Sequence, residues 1–141
     1  IVTPYEPRAV VVYEGDNDIA SGVSPEVFVE TFRALKARVH AKLPKARIYV
    51  VSVKPSISRW KVWPVMQEAN ELLKKECRKD GRLIYVDVAS AMLGPDGQPL
   101  SDNYVSDGLH LSRKGYETWR DVIRPVLLKR EPPAATSTTS R

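Results

Sequence analysis

An aspartate stands three residues before a histidine in Asp107-Gly108-Leu109-His110, in a polar loop just ahead of a helix-like segment. At that spacing a carboxylate can accept a hydrogen bond from one ring nitrogen, fix the tautomer and leave the other nitrogen as a base. A second polar cluster, Gly15-Asp16-Asn17-Asp18, lies far upstream, directly after an apolar run. The chemistry depends on whether the two clusters meet, and that depends on the elements that carry them.

Those elements read as alternating strands and helices. Arg8 to Tyr13 (Arg-Ala-Val-Val-Val-Tyr) is a short β-branched run, the pattern of a strand buried on both faces of a parallel sheet. Ser24-Pro25 opens a helix, with a capping hydroxyl and proline at the first helical position. Phe28, Phe32, Leu35, Val39 and Leu43 form its apolar stripe, and Pro44 stops it. His40 lies beside that stripe and reads as a surface or boundary residue without a partner.

Arg47 to Val53 is the second buried strand, broken by Pro55. Trp63, Met66, Ala69, Leu73 and Cys77 mark a second amphipathic helix, expected to end at Asp80-Gly81 with the glycine as its cap. Trp60 and Trp63 read as packing residues. Leu83 to Val88 is a third strand, and Gly94-Pro95-Asp96-Gly97 is a turn. Ser112 can cap a last helix that carries Tyr116, Trp119, Ile123 and Leu127, with Pro125 expected to bend it. The rhythm is α/β with a parallel sheet. Right-handed crossovers bring the strand C-termini to one edge, where open α/β sheets bind ligands. Both polar clusters are expected at that edge, with the three strands as neighbours in chain order.

Composition narrows the classes. The 141 residues suffice for one domain with a core, and 43% hydrophobic content is globular. The net charge of +5 is spread along helices, with no basic stripe of stacking aromatics, so no nucleic-acid partner is expected. Cys77 is the only cysteine, which excludes an intrachain disulfide, and it falls on an apolar helix face as a buried thiol. No apolar run reaches about 18 residues, so no membrane-spanning helix is expected, and no signal peptide is read at Ile1. No cofactor is expected, and the compartment is not legible. One folded domain is expected over residues 1–130. Residues 131–141, rich in Pro, Ala, Ser and Thr, read as a disordered tail.

Gly15-x-Asn17-Asp18 after a strand, with Asp107-x-x-His110 before the last helix, resembles the SGNH hydrolases, also called GDSL esterases or lipases. The segment Arg47 to Arg59, with Lys54-Pro55-Ser56 after the middle strand, is similar to that family as well. The resemblance covers Arg8 to about Leu128. It implies a three-layer, flavodoxin-like fold and a serine hydrolase acting on acyl esters. By the same resemblance His110 is the general base, Asp107 orients it, Asn17 donates its amide to the oxyanion hole, and Gly15 lets the backbone turn beneath it. The chemistry is consistent. An amide N–H stabilises a developing oxyanion, and an imidazole carries a proton from a serine to the leaving alcohol.

The chain departs from that pattern. The Gly-Asp-Ser block that holds the family's nucleophile, and the block with a second oxyanion glycine, have no counterpart here. The first two strands of the fold are therefore expected to be missing. Ser21, Ser56 and Ser106 match no family nucleophile position. Activity of this chain by itself is expected to be impaired. Two other readings use the same residues. One is a non-catalytic fragment that folds and associates. The other is a metal-dependent phosphoesterase with Asp16, Asp18, Asp107 and His110 as ligands. Without a neighbour before it, the strand from Arg8 to Tyr13 would be an unprotected edge, and a homodimer through it is expected.

Overall fold

The computed structural model describes residues 2–132. Its sheet has three parallel strands in the order β1 (Ala9–Val12), β2 (Arg47–Val51), β3 (Leu83–Val86), neighbours in chain order as expected. Ala9 pairs with Arg47 and Val12 with Val50; Ile48 pairs with Leu83 and Val51 with Val86. Between β1 and β2 run a short helix α1 (Asp16–Ala20) and the long helix α2 (Pro25–Lys42). Helix α3 (Trp63–Cys77) links β2 to β3, and α4 (Arg113–Arg130) closes the fold.

The strand pleat sorts side chains into two cores. Ile48 and Val50 of β2, with Leu83 of β3, face Phe28, Phe32 and Val39 of α2 and Met66, Ala69 and Leu73 of α3. Tyr49 and Val51, with Ile84 and Val86, face Trp119, Ile123 and Leu127 of α4. Helices lie on both faces of the sheet in three layers, and β2 and β3 are buried between them. Strand β1, expected to be buried on both faces, is only half-buried with Val11 exposed, because it is an edge strand that pairs with β2 alone among the described strands. Trp60 and Trp63 stack with centroids 6.1 Å apart, and Trp63 is buried in the first core.

The local signals at helix starts act as the sequence reading expects. The Ser24 hydroxyl accepts from the Val27 N–H, and the Ser112 hydroxyl accepts from the Gly115 N–H. Three details differ. Helix α3 ends at Cys77, before Asp80-Gly81, because Asp80 turns its carboxylate to the backbone and guanidinium of Arg82 and closes a tight turn into β3. His40 does have a partner, the carbonyl oxygen of Ala46, 3.1 Å from Nε2. The polar cluster after β1 is helical, since Gly15 adopts φ +111° and starts α1.

Glu131, which composition assigns to the tail, is held in place. Its carboxylate accepts from the Arg47 guanidinium and from the Tyr49 hydroxyl at 2.9 Å, and pairs with Arg8 at 3.1 Å. Arg47 leads the causes that hold this carboxyl at about 2, below the usual carboxylate range. The rest of the expected tail, from residue 133, lies outside the described residues. Among the described residues no helix is long and apolar enough to cross a membrane.

Candidate functional site

Asp107 and His110 are organised by their own loop. Asp107 Oδ1 accepts from the backbone N–H groups of Leu109 and His110 at 2.8 and 2.9 Å. That Asx turn leaves Oδ2 facing His110 Nδ1 at 2.6 Å. Gly108 sits at φ +65°, a conformation that glycine adopts without strain. The His110 hydrogen bond, and then the two backbone donors, hold the Asp107 carboxyl at about 2. The carboxylate is therefore charged at neutral pH and fixes the proton of the imidazole on Nδ1. The ring is 77% exposed, and Nε2 takes no protein partner among the described residues.

The loop is tied to the end of β2. The Ser58 N–H donates to the Gly108 carbonyl at 3.1 Å, and the buried Tyr104 hydroxyl donates to the Pro55 carbonyl at 2.7 Å. A β-carbon on Gly108 would lie 3.1 Å from the Ile57 side chain, so the two loops are in close contact. Gly115, in the first turn of α4, lets the helix rest on the Asn103 carbonyl, which would stand 2.2 Å from an added β-carbon. The Ser112 N–H donates to that same carbonyl at 3.0 Å. This packing fixes where the His110 loop enters α4.

The segment after β2 also reaches the Gly15 cluster. Lys54, only 5% exposed, places its ammonium 3.3 Å from Asp16 Oδ2. Arg59 Nη1 stands 3.5 Å from the same carboxylate, and Arg59 Nη2 donates to Asn17 Oδ1 at 2.8 Å. Burial pulls the Lys54 ammonium below the usual lysine range, while the Asp16 and Asp107 carboxylates oppose that shift. Burial, and then the nearby Asp16 carboxylate, raises the Tyr13 phenol. Gly15 is in tight contact beneath the cluster, where an added β-carbon would fall 2.5 Å from the Phe28 ring.

The two sequence clusters are therefore joined at the C-terminal edge of the sheet. Gly15, Asp16 and Asn17 follow β1, Lys54 to Arg59 follow β2, and the Asp107–His110 loop packs on the latter. Lys54 and Arg59 carried no role in the sequence reading. The signal for them was present, since two cations follow a strand whose neighbour ends in an acidic turn. Asp16 is taken up by these two cations. Among the described residues no three His, Cys, Asp or Glu side chains converge as a metal-ligand set.

The serines are placed as follows. Ser56 is sealed in the core at 1% exposure. The Ser21 hydroxyl donates to the Asn17 carbonyl. Ser106 is exposed on the same loop as His110. No serine hydroxyl is bonded to the His110 ring among the described residues.

Comparison with known proteins gives a consistent result. Solved structures share the fold. A protein from Streptococcus pneumonia named for platelet activating factor superposes with a TM-score of 0.77 at 22% identity, covering 84% of this chain and 59% of its own. A GDSL-like lipase from Bacteroides thetaiotaomicron gives 0.73 at 19% identity, covering 91% and 65%. A carbohydrate esterase family 3 protein from Talaromyces cellulolyticus gives 0.75 at 18% identity, covering 91% and 60%. The chain spans about three-fifths of the length of these structures. No curated protein matches it. The family model for GDSL-like lipases and acylhydrolases matches residues 1–118, a span that holds the Gly15 cluster, the Lys54–Arg59 segment and the Asp107–His110 loop, and the chain belongs to that family.

Proposed function

We propose that this chain supplies the base, its orienting acid and one oxyanion donor of a serine ester hydrolase acting on acyl esters. His110 is the general base, and Asp107 orients it and stabilises the imidazolium. Asn17 donates its carboxamide N–H to the acyl oxygen as that atom becomes negative, and Gly15 gives the turn that presents it. In acylation the serine oxygen bonds to the acyl carbon, and its proton passes to His110 Nε2. The same proton then leaves on the departing alcohol. Water repeats the sequence and frees the acid.

The observation that carries this reading is the 2.6 Å contact between Asp107 Oδ2 and His110 Nδ1, with Nε2 left open. Among the described residues no serine hydroxyl is bonded to the His110 ring, so the 141-residue chain alone is expected to be a poor esterase, about a thousandfold above water at best. The test compares this chain with the protein expressed from its full reading frame. The assays are p-nitrophenyl acetate and butyrate hydrolysis and labelling by a fluorophosphonate. The full protein is expected to label on a serine and to lose about 10³- to 10⁴-fold in kcat on His110→Ala. If the full protein neither labels nor hydrolyses these esters, the esterase reading is wrong. If the 141-residue chain is itself fast, a nucleophile exists within it.

A second reading concerns association and competes only for this chain by itself. It is supported by β1, which pairs with β2 alone among the described strands. Val11 is 48% exposed there, and no charge or proline lies between Ala9 and Val12. Natural sheet edges carry such blocks. Two copies of β1 pairing antiparallel across a two-fold axis would satisfy the free backbone groups and bury roughly 2,000 Å².

A further inference from the structure

We infer that Arg59 is a positioning residue that fixes the Asn17 carboxamide, turning Nδ2 outward as a donor. The inference rests on the esterase reading for its purpose, though its geometry stands alone. An asparagine side chain has an acceptor end and a donor end, and a rotation of χ2 by half a turn exchanges them. A donor aimed at an oxyanion is useful only while the amide end faces it. In the exchanged position a carbonyl oxygen would face the developing negative charge and repel it.

Arg59 removes that ambiguity by its chemistry. A guanidinium has only donors and stays charged at every accessible pH. The Asn17 atom that faces Nη2 at 2.8 Å must therefore be Oδ1. Nδ2 is then on the far side of the carboxamide. Among the described residues it takes no protein acceptor, and Asn17 is exposed. Both amide hydrogens are free for a bound acyl oxygen. The cation also draws electron density from Oδ1, which makes the Nδ2 hydrogens stronger donors.

The guanidinium is itself held. Its Nη1 stands 3.5 Å from Asp16, which also meets the buried Lys54 ammonium at 3.3 Å. Its side chain is mostly covered, and its neighbour Ser58 bonds to Gly108 in the loop of the acid and base. Asp16 is next to Asn17 in sequence. The fork of Arg59 therefore grips two successive residues of α1, one through a charge and one through a neutral oxygen. With Nη2 bonded to Asn17 and Nη1 buried beside Asp16 without a hydrogen bond of its own, the long side chain has little rotamer freedom left. The same grip sets the distance between the donor cluster and the His110 loop.

Two readouts test this. In the ¹⁵N-labelled 141-residue chain, the Asn17 NH₂ pair is expected to be ordered, with slow rotation and a high order parameter. Arg59→Met should release it to the values of exposed asparagines while the backbone spectrum persists. An Asn17 amide as mobile in the wild type as in Arg59→Met overturns the proposal, whatever the fate of the esterase reading. The second readout is hydrolysis by the protein from the full reading frame, read as a cycle of Arg59→Met, Asn17→Ala and the double variant. Arg59→Met is expected to lower kcat about 10- to 100-fold with KM within about twofold. It should have little further effect once Asn17 is alanine. Arg59→Lys, which keeps the charge without the fork, should recover only part of the loss. It also serves as the variant to read if Arg59→Met does not fold. Equal losses from Arg59→Met with and without Asn17 would show that Arg59 does not act through the carboxamide.

Discussion

Arg59 Nη2 donates to Asn17 Oδ1 at 2.8 Å across 42 positions of sequence. That bond joins the turn after β1 to the segment after β2, and the next link, Ser58 N–H to Gly108 carbonyl, joins that segment to the acid–base loop. The candidate site is thus a relay of three segments: helix α1, the stretch after β2 and the acid–base loop. Each is anchored by a hydrogen bond to its neighbour, and none relies on a strand side chain.

Asp107 should matter through orientation. Asp107→Asn retains an acceptor for the Leu109 and His110 N–H groups but can present its amide to Nδ1. That arrangement favours the tautomer with its proton on Nε2, which cannot accept from a serine. In the protein from the full reading frame, kcat for p-nitrophenyl esters is expected to fall about 10²- to 10⁴-fold with KM nearly unchanged. An unaltered kcat would remove Asp107 from the mechanism.

Gly15→Ala should destabilise the fold. The position has φ +111°, and the added β-carbon would fall 2.5 Å from the Phe28 ring. Strain and repacking of a core aromatic are each worth about 1–3 kcal/mol, so a loss of about 2–6 kcal/mol is expected in urea unfolding. Gly22→Ala makes a useful control. It shares a positive φ of +94° but meets nothing within 4 Å. A Gly15 loss no larger than the Gly22 loss would show that the ring contact is unimportant.

Glu76 should make the fold acid-sensitive. Its carboxylate is 5% exposed and accepts from Lys79, Lys36 and Arg33 at 2.9 to 3.1 Å. The Lys79 bond leads the causes that hold it at about 2, against an ordinary 4.5. A lowered native pKa means that the unfolded chain binds the proton more readily. The stabilisation is therefore complete above about pH 4.5 and is lost as pH falls through about 2. At pH 7 Glu76→Gln is expected to lose about 1–3 kcal/mol, an amount typical of hydrogen bonds to a charged group. The gap to the wild type should shrink between pH 4.5 and 2. A gap that stays constant over that range would rule out the carboxylate as its source.

The association proposal turns on Val11. A charge on the free edge of β1 should oppose strand pairing between copies, so Val11→Lys is expected to be monomeric and as stable as the parent. Light scattering during gel filtration at low micromolar concentration reads both proteins. A parent that elutes as a folded monomer near 15.8 kDa would refute the proposal directly.

Much of the architecture was legible because it rests on local pattern. The β-branched runs at Arg8–Tyr13 and Arg47–Val53 mark strands, of which only the second is buried on both faces, and the stripe from Phe28 to Leu43 marks a helix packed on one side. Ser24 and Ser112 announce their helices with a cap. The Asp107–His110 pair was legible for the same reason, since a three-residue separation within one loop needs no tertiary information. What the sequence could not determine involves partners remote along the chain. Ala46 accepts from His40, Glu131 joins Arg8, Arg47 and Tyr49, and Arg59 takes Asn17 and Asp16. The acidic turn at 15–18 has the composition of a plain loop, yet it folds as a helical turn. Gly15 tolerates its positive φ and close packing on Phe28, and Lys54 and Arg59 reach Asp16 from the segment that follows the next strand. Pattern reveals which faces must be buried, because burial follows periodicity. Only the assembled sheet decides which charges then lie within 4 Å of one another, because that depends on register and loop path rather than on spacing.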